Sequence, residues 1–224
     1  NIYQVVTKDM DADGEQFTSG LPFPSIKYLR QDFPQITFAQ LMQQYGSQVT
    51  ATDATGIDNG KKFIEETGVF YGEPELLKIF SVTWLSGNEE VLRDVNSAVI
   101  SKSIADKYFG TWEQATGKFI KFDNSNHIMK VGGIFGDMPD NSDFPFRIIA
   151  SYEGFLANEG QNWSADDWGS NTSNHQVYML LPDNTNIAAL NAYLDGFEKK
   201  YNTDNRDTKR THFLQPLSNI HFDE

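Results

Sequence analysis

The first residues whose spacing suits metal binding lie near the start of the chain. Asp9, Asp11 and Asp13, followed by Gly14, match the opening of an EF-hand calcium loop, in which alternating oxygen ligands surround the ion. The bidentate glutamate that closes such a loop would fall at position 20, where the chain has Gly20. Without that ligand, we favour a solvated acidic loop over a calcium site.

A second acidic cluster is formed by Asp137, Asp140 and Asp143, which are close enough in sequence to share a cation. Pro139 and Asn141 interrupt this cluster, and both residue types favour tight turns. The sequence therefore predicts a turn here, and the acidic side chains are expected to face solvent.

Residues 56–62 have some features of a phosphate-binding loop, with the sequence GIDNGKK. The two glycines are one residue too close together, and Lys62 stands where a serine or threonine would coordinate magnesium. The segment therefore does not predict a nucleotide site.

The four histidines are far apart, and no two have the spacing that places two metal ligands on one helix face: His127, His175, His212 and His221. We predict strand or surface histidines that are not metal ligands. The pairs Glu65–Glu66 and Glu89–Glu90 are poorly placed for acid–base catalysis, because neighbours on a strand point to opposite faces. With no cysteine and no G-x-S-x-G motif, the sequence predicts neither an enzyme nor a bound cofactor or metal.

The composition indicates an acidic domain with enough apolar material for a core. The 224 residues include 31 acidic and 18 basic side chains, for a net charge of −13, and 39% are hydrophobic. The negative electrostatic field of such a chain repels phosphate backbones, which argues against nucleic-acid binding. No stretch approaches the roughly 20 apolar residues of a membrane helix. The chain starts at Asn1 without a signal peptide, and we expect it to be a part of a longer protein.

Helix and strand patterns alternate at the two ends of the chain. Ile2–Thr7 predicts a strand, and the apolar spacing of Ser25–Phe33 predicts a helix that Pro34 ends. Near the other end, Ile187–Tyr201 predicts the longest helix and Thr211–Leu214 a closing strand.

The middle of the chain is richer in strand signals. Ala98–Ile100 predicts a strand that runs into Ser101, a residue type favoured at helix N-caps, and the following helical stripe ends at Gly110. Lys118–Phe122 and His127–Val131 predict two further strands. Together the patterns predict an α+β fold with a strand-rich insertion.

Several blocks resemble, in the same order, the MacB-like periplasmic core domain of MacB/FtsX-type ABC-transporter permeases. The blocks are Phe70–Phe80 with Trp84–Gly87, Ala98–Gly110, Ala115–Lys118, Val131–Phe144 and Leu214–His221. Gly72 and Asp143 differ from many members, which have Asp and His there. The glycines and apolar residues of these blocks are of structural types, so the shared pattern specifies a fold and marks no reaction centre.

The resemblance implies porter-like strand–helix–strand units with an inserted smaller, strand-rich subdomain. We assign residues 1–66 and 144–224 to the porter-like subdomain and residues 67–143 to the insertion.

The resemblance also implies a location and partners. The domain would lie at the periplasmic face of the inner membrane, anchored by membrane helices outside this sequence. The parent would act as a homodimer with a cytoplasmic ATPase subunit or domain and, in exporters, with a periplasmic adaptor and an outer-membrane channel. Its function would be to couple ATP hydrolysis to conformational change outside the membrane, for efflux, export or mechanotransmission.

An alternative hypothesis is an extracellular sensor or ligand-binding module. Trp163 and Trp168 lie in a polar segment, where aromatic rings could line a pocket, although tryptophans that pack turns are more common. An enzyme ranks last, because its site would have to be assembled from residues that no motif connects.

Overall fold

Helices and strands alternate along the whole chain in the computed structural model. The structure describes residues 1–11, 14–53, 60–139, 142, 144–158, 166–169, 171–203 and 209–218. The strands are β1 (Ile2–Asp11), β2 (Gly14–Thr18), β3 (Thr37–Gln44), β4 (Ser47–Thr52), β5 (Lys61–Glu65), β6 (Val69–Gly72), β7 (Trp84–Ser86), β8 (Ser97–Ser101), β9 (Phe119–Phe122), β10 (His127–Phe135), β11 (Ile148–Ser151), β12 (His175–Leu180) and β13 (Thr211–Pro216). The helices are α1 (Ser25–Asp32), α2 (Pro74–Ile79), α3 (Lys102–Phe109), α4 (Tyr152–Asn158), α5 (Ile187–Asp195) and α6 (Phe197–Tyr201). This mixture confirms the predicted α+β class.

The chain divides into two compact units. Unit 1 comprises residues 1–40 and 163–224, and unit 2 comprises residues 41–162. The boundaries therefore differ from the predicted ones at 66/67 and 143/144. The reason is strand pairing, which sequence patterns do not reveal: β5 pairs with β4, and β11 pairs with β6, so that all four strands belong to unit 2.

In unit 1, β1 is the central strand of an antiparallel arrangement. Its first residues pair with β12, its middle residues pair with β13, and its last residues pair with β2. Helices α1, α5 and α6 contribute Leu29, Leu194 and Phe197 to a buried cluster that also contains Val177 of β12. The side-chain amide oxygen of Asn191 accepts a 2.8 Å hydrogen bond from the Leu214 amide, and this bond links α5 to β13.

Two elements of unit 1 differ from the sequence prediction. The acidic segment after Thr7 is a β-hairpin, in which Asp9 pairs with Gln16 in register, and not a loop. The helix predicted over Ile187–Tyr201 is divided at Gly196 into α5 and α6. Glycine has low helix propensity, and the Gly196 amide bonds to the carbonyl of Tyr193 instead of continuing the α-helical pattern.

Unit 2 is built on a mixed sheet in the order β3–β6–β11–β8–β10–β9–β4–β5, with β7 paired to β10. The pairs β6–β11 and β8–β10 are parallel. Helix α3 begins and ends as predicted: the Ser101 hydroxyl accepts a hydrogen bond from the Ile104 amide, and Gly110 follows the last turn with φ +91°. Among the residues that the structure describes, no helix is long and apolar enough to cross a membrane.

Candidate functional site

A surface groove in unit 1 is the candidate binding site. It lies between the end of α1 and the start of α5 and has a volume of about 430 Å³. Its lining is Phe33, Gln35, Ile36, Pro182, Thr185, Asn186, Ala189, Leu190 and Tyr193. This volume falls within the range of about 300–1,000 Å³ of small-molecule sites, and the mostly apolar lining suits an apolar group.

The groove is positioned by the local sequence at each side. Phe33 follows the last turn of α1 and packs edge-on against Tyr193 of α5, with ring centroids 4.8 Å apart. On the other side, the Asn186 side chain accepts a hydrogen bond from the Ala189 amide and so caps α5. One wall of the groove is therefore formed by the C-terminal end of α1, and the other by the N-terminal end of α5.

A polar cluster around Asp32 lies next to the groove. The hydroxyls of Tyr193 and Tyr201 both donate to Asp32 Oδ2, and Lys200 Nζ lies 2.9 Å from the same oxygen. The hydrogen bonds from the two tyrosines lower the pKa of Asp32 to about 2. Burial and the bond to Asp32 raise the pKa of Tyr193 above its usual value.

These pKa shifts define what the cluster can do. At neutral pH the Asp32 carboxylate is ionised, and the Tyr193 phenol and the Lys200 ammonium keep their protons. A carboxylate with such a low pKa is a poor general base, because catalysis needs a pKa near the working pH. The arrangement therefore orients Tyr193 at the groove and offers no proton-transfer chemistry.

A buried carboxylate in unit 2, Glu65, is held by three side chains. Lys107 Nζ lies 2.6 Å and the Tyr108 hydroxyl 2.8 Å from Glu65 Oε1, and Arg147 Nη1 lies 3.4 Å from Oε2. The Glu65 side chain is 1% exposed, whereas those of Lys107 and Arg147 are about half exposed. Each Glu65 oxygen thus has a cationic partner, which is the arrangement of a structural ion pair.

The histidines are placed on separate strands. His175 is buried, donates a 2.7 Å hydrogen bond from Nδ1 to the Leu21 carbonyl, and stacks on Phe23 with ring centroids 4.2 Å apart. Burial lowers the pKa of His175 to about 4, so the ring is neutral at physiological pH. His212 Nδ1 lies 3.0 Å from the Thr7 hydroxyl, and His127 Nε2 lies 3.2 Å from the Val95 carbonyl. His221 lies outside the described residues.

The two acidic segments considered as metal sites are only partly described. Asp9 forms an ion pair with Arg210, with Nε 2.7 Å from Oδ1, and Asp13 lies outside the described residues. Asp137 accepts a hydrogen bond from the Ser103 amide, while Asp140 and Asp143 lie outside the described part. Within the described residues, no three His, Asp or Glu side chains come together as potential metal ligands.

The other predicted positions have structural surroundings. Lys61 and Lys62 belong to β5, and residues 56–59 of the phosphate-loop-like segment lie outside the described residues. Glu65 is buried and Glu66 exposed, in agreement with the opposite faces expected on a strand. Glu89 and Glu90 instead lie in a short 3₁₀ helix and both approach Lys78, so the strand argument does not apply to them.

The two tryptophans proposed to line a pocket do not have that role in the described region. Trp168 is buried in the unit 1 core, where it stacks with Tyr28 and packs against Phe197. Trp163 lies outside the described residues. The groove itself was not predicted, because its walls come from the end of α1 and the start of α5, which are far apart in the sequence and share no local pattern. A signal that could have drawn attention to it is the pair of exposed alanines at the start of α5, Ala188 and Ala189.

Solved structures of transporter domains are similar to this chain. A domain of a putative permease protein from Porphyromonas gingivalis has a TM-score of 0.75 at 20% identity, covering 96% of this chain and 89% of that one. The periplasmic region of MacB from Actinobacillus actinomycetemcomitans has a TM-score of 0.61 at 13% identity, covering 97% of this chain and 90% of that one. At these identities the likeness shows a shared fold. No curated protein sequence matches the chain.

The sequence itself matches a family described as the MacB-like periplasmic core domain over residues 1–197. The match covers most of unit 1 and all of unit 2, and includes all but the last of the sequence blocks that carry the resemblance. The family is one of permease domains and is not a family of enzymes. The chain therefore belongs to the MacB-like periplasmic core domain family of ABC-transporter permeases.

Proposed function

We propose that this domain couples ATP hydrolysis inside the cell to conformational change on the periplasmic side of the membrane, for efflux, export or mechanotransmission. The family match over residues 1–197 is the observation that supports this role most strongly. In the proposed arrangement the parent protein is a homodimer, anchored in the inner membrane and driven by a cytoplasmic ATPase subunit or domain. In exporters it also engages a periplasmic adaptor and an outer-membrane channel.

Within the domain, we infer that the discontinuous unit 1 is the porter-like part. It has strand–helix–strand patterns at both ends of the chain, with α1 following the β1–β2 hairpin and α5 and α6 preceding β13. Unit 2 is then the inserted part. The chemistry of the described side chains agrees with a mechanical role, because the perturbed carboxylate Asp32 is tied to tyrosines and lysine and is not poised for catalysis.

The coupling can be tested on the parent transporter assembled with its ATPase in nanodiscs. The chain has no cysteine, so Tyr45→Cys at an exposed position of unit 2 gives a single spin-label site once any cysteines elsewhere in the parent and its ATPase are replaced by serine. Equivalent labels in the two copies report one distance distribution. We expect this distribution to shift between the nucleotide-free and the vanadate-trapped states, and to remain unshifted in an ATPase variant that cannot bind ATP.

Two results would contradict the proposal. One is an identical distance distribution in both nucleotide states of an active preparation. The other is a parent protein without any apolar segment of about 20 residues, since such a protein could not be anchored by membrane helices.

The groove in unit 1 favours a second candidate function, a ligand-binding module. Ala189 lines the groove, whereas its exposed neighbour Ala188 does not. Thermal shift and calorimetry against peptides, lipids and sugars would detect a ligand through the stabilisation that binding confers. We expect Ala189→Trp to abolish such binding and Ala188→Trp to preserve it. If no compound raised the melting temperature of the unmodified domain or gave a heat of binding, a ligand-binding function would be excluded for the compounds used.

A further inference from the structure

The edge strand of unit 2 has backbone groups without strand partners. In the described part of the chain, β5 is the last strand of its sheet and pairs only with β4, in the register Ala51 to Lys61 through Ser47 to Glu65. On the opposite side of β4, the Gln48 carbonyl accepts a 2.9 Å hydrogen bond from the Asp123 amide next to β9, so Gln48 and Asp123 are a hydrogen-bonded pair.

This pair defines the direction of every backbone group in β5. Hydrogen-bonded and non-hydrogen-bonded pairs alternate along an antiparallel ladder. Gln48 and Thr50 therefore face β9, and the intervening residues of β4 face β5. Ser47, Val49 and Ala51 thus bond to their register partners Glu65, Phe63 and Lys61. The N–H and C=O groups of Lys62 and Ile64 point away from β4, toward the open side of the sheet. These groups can bond to an added strand without any change in the existing ladder.

The side chains of β5 indicate which kind of strand would fit. Ile64 is 70% exposed, and its neighbour Phe63 is partly exposed beneath Lys107, whose Nζ lies 5.5 Å from the ring centroid. Lys61 and Lys62 are both exposed, and neither has a carboxylate partner among the described residues. The edge thus carries two exposed lysines beside two apolar side chains, in a chain whose net charge is −13.

We propose that the β5 edge is a docking site for an extended segment of a partner polypeptide, with acidic residues next to apolar ones. The segment adds to the sheet as a further strand, bonding to the backbone of Lys62 and Ile64. Its carboxylates lie opposite Lys61 and Lys62, and its apolar side chains cover Phe63 and Ile64. Main-chain bonds supply affinity in this mode of recognition, and the flanking side chains supply selectivity. The inference goes beyond the proposed transport role and does not depend on it.

The test uses this 224-residue chain and a capped eight-residue peptide in which two glutamates are followed by two valines, flanked by threonines. Two control peptides replace the glutamates by lysines or methylate the backbone nitrogens that would face β5. In an amide NMR titration, we expect the acidic peptide to shift the amides of Lys62 and Ile64 and to slow their hydrogen exchange. Neither control peptide should do so.

Two charge-reversal variants distinguish binding at the β5 edge from non-specific electrostatic attraction of the peptide. Lys62→Glu reverses one edge charge, and Lys199→Glu reverses an exposed charge on α6 in unit 1. We expect Lys62→Glu to weaken peptide binding about tenfold or more, because a favourable charge pair becomes a like-charge contact. Lys199→Glu should leave the affinity within about twofold. Thermal melts of both variants establish that they are folded.

Three results would overturn the proposal, and the first two need no variant. Absence of any titration shift at millimolar peptide, or shifts confined to residues outside β5 and β4, would exclude the edge as the binding site. Equal binding of the lysine peptide would exclude the stated partner chemistry. If sedimentation showed that the chain self-associates and that Lys62→Glu abolishes this, the occupant would be a second copy of the chain and not an acidic partner. None of these outcomes bears on nucleotide-driven movement in the parent transporter.

Discussion

The side chain of Arg147 lies directly against Gly68, at the place where any other residue would carry its Cβ atom. A Cβ on Gly68 would be 2.7 Å from both Cγ and Cδ of Arg147 and 2.6 Å from the Pro145 carbonyl oxygen. The backbone of Gly68 also has φ +83°, which L-residues rarely adopt. This glycine lets the stem of Arg147 pass close to the main chain on its way to Glu65.

We expect Gly68→Ala to lower the free energy of unfolding by about 2–4 kcal/mol. The alanine would have to adopt an unfavourable positive φ, and its Cβ would also clash with Arg147 and Pro145. Gly117 is a matched control, since it has φ +88° but nothing within 4 Å of the Cβ position. Gly117→Ala should lower the free energy of unfolding by only about 1–2 kcal/mol. Urea denaturation of both variants measures the difference. Equal losses would show that the backbone near Pro145 shifts easily and that the close approach is unimportant.

The Glu65 ion pairs make a second prediction about stability. Glu65→Gln keeps the shape of the side chain but removes the charge that Lys107 and Arg147 contact, so we expect a loss of about 2 kcal/mol. The adjacent Glu66→Gln at an exposed position should stay within about 0.5 kcal/mol. Chemical denaturation at neutral pH compares the two. If Glu65→Gln lowered the free energy of unfolding as little as Glu66→Gln, the ion pairs of Glu65 would make no net contribution to stability.

His175 should make the stability depend on pH. An unfolded histidine titrates near 6.5, whereas burial lowers the pKa of His175 in the folded protein to about 4. Between these values the unfolded chain binds a proton that the folded chain does not. The contribution of neutral His175 is therefore complete above pH about 6.5 and declines, by up to about 1.4 kcal/mol per pH unit, as the pH falls toward 4.

Urea denaturation between pH 4.5 and 7.5 measures this slope directly. His175→Gln removes one titrating group, so its slope should be smaller than that of the unmodified protein by close to one proton. The two proteins need not be equally stable, because only the slopes are compared. If both slopes were the same, His175 would have to be accessible to protons in the folded state.

Asp32 gives a prediction of the same sign as His175, but at lower pH. Its pKa is lowered to about 2, first by the hydrogen bond from Tyr193 and then by that from Tyr201. Its ionised form therefore stabilises the fold above pH about 4, and this contribution is lost as the pH falls toward 2. Tyr193→Phe removes the strongest of these bonds and should raise the pKa of Asp32.

Carbon-detected NMR titration of the Asp32 carboxyl measures this pKa in each variant. Tyr45→Phe is the control, because Tyr45 is exposed and its hydroxyl contacts only Gln43 among the described hydrogen bonds. The control should leave the Asp32 titration unchanged. An unchanged titration in Tyr193→Phe as well would contradict the described geometry around Asp32.

Local sequence signals predicted local structure well. Ser101 and Gly110 delimit α3 because an N-cap oxygen and a left-handed glycine act within one turn of the helix. Likewise, β9 and β10 follow from short alternating runs, and the turn between them includes Asn126 with φ +56°. Each of these features depends on residues only a few positions apart.

Features that depend on distant residues were not predictable in this way. The hairpin partner β2 is recognised through its pairing with β1, since its own sequence is polar and acidic. The groove and the Asp32 cluster bring α1 together with α5 and α6 from the far end of the chain. The unit boundaries depend on which strands pair, so residues 41–66 and 144–162 were assigned to the other part. Ordered sequence blocks identified the family without revealing any of these contacts.

The discontinuity of unit 1 has a consequence for synthesis on the ribosome. Unit 2 is one continuous segment, residues 41–162, so all of its strands have been translated before the second segment of unit 1 begins. The β1 strand must wait for its partners β12 and β13, which are translated last. Domains generally fold as units during synthesis. The first residues of β1 therefore stay without their β12 and β13 partners, and their apolar side chains stay uncovered, until about two hundred residues have been translated.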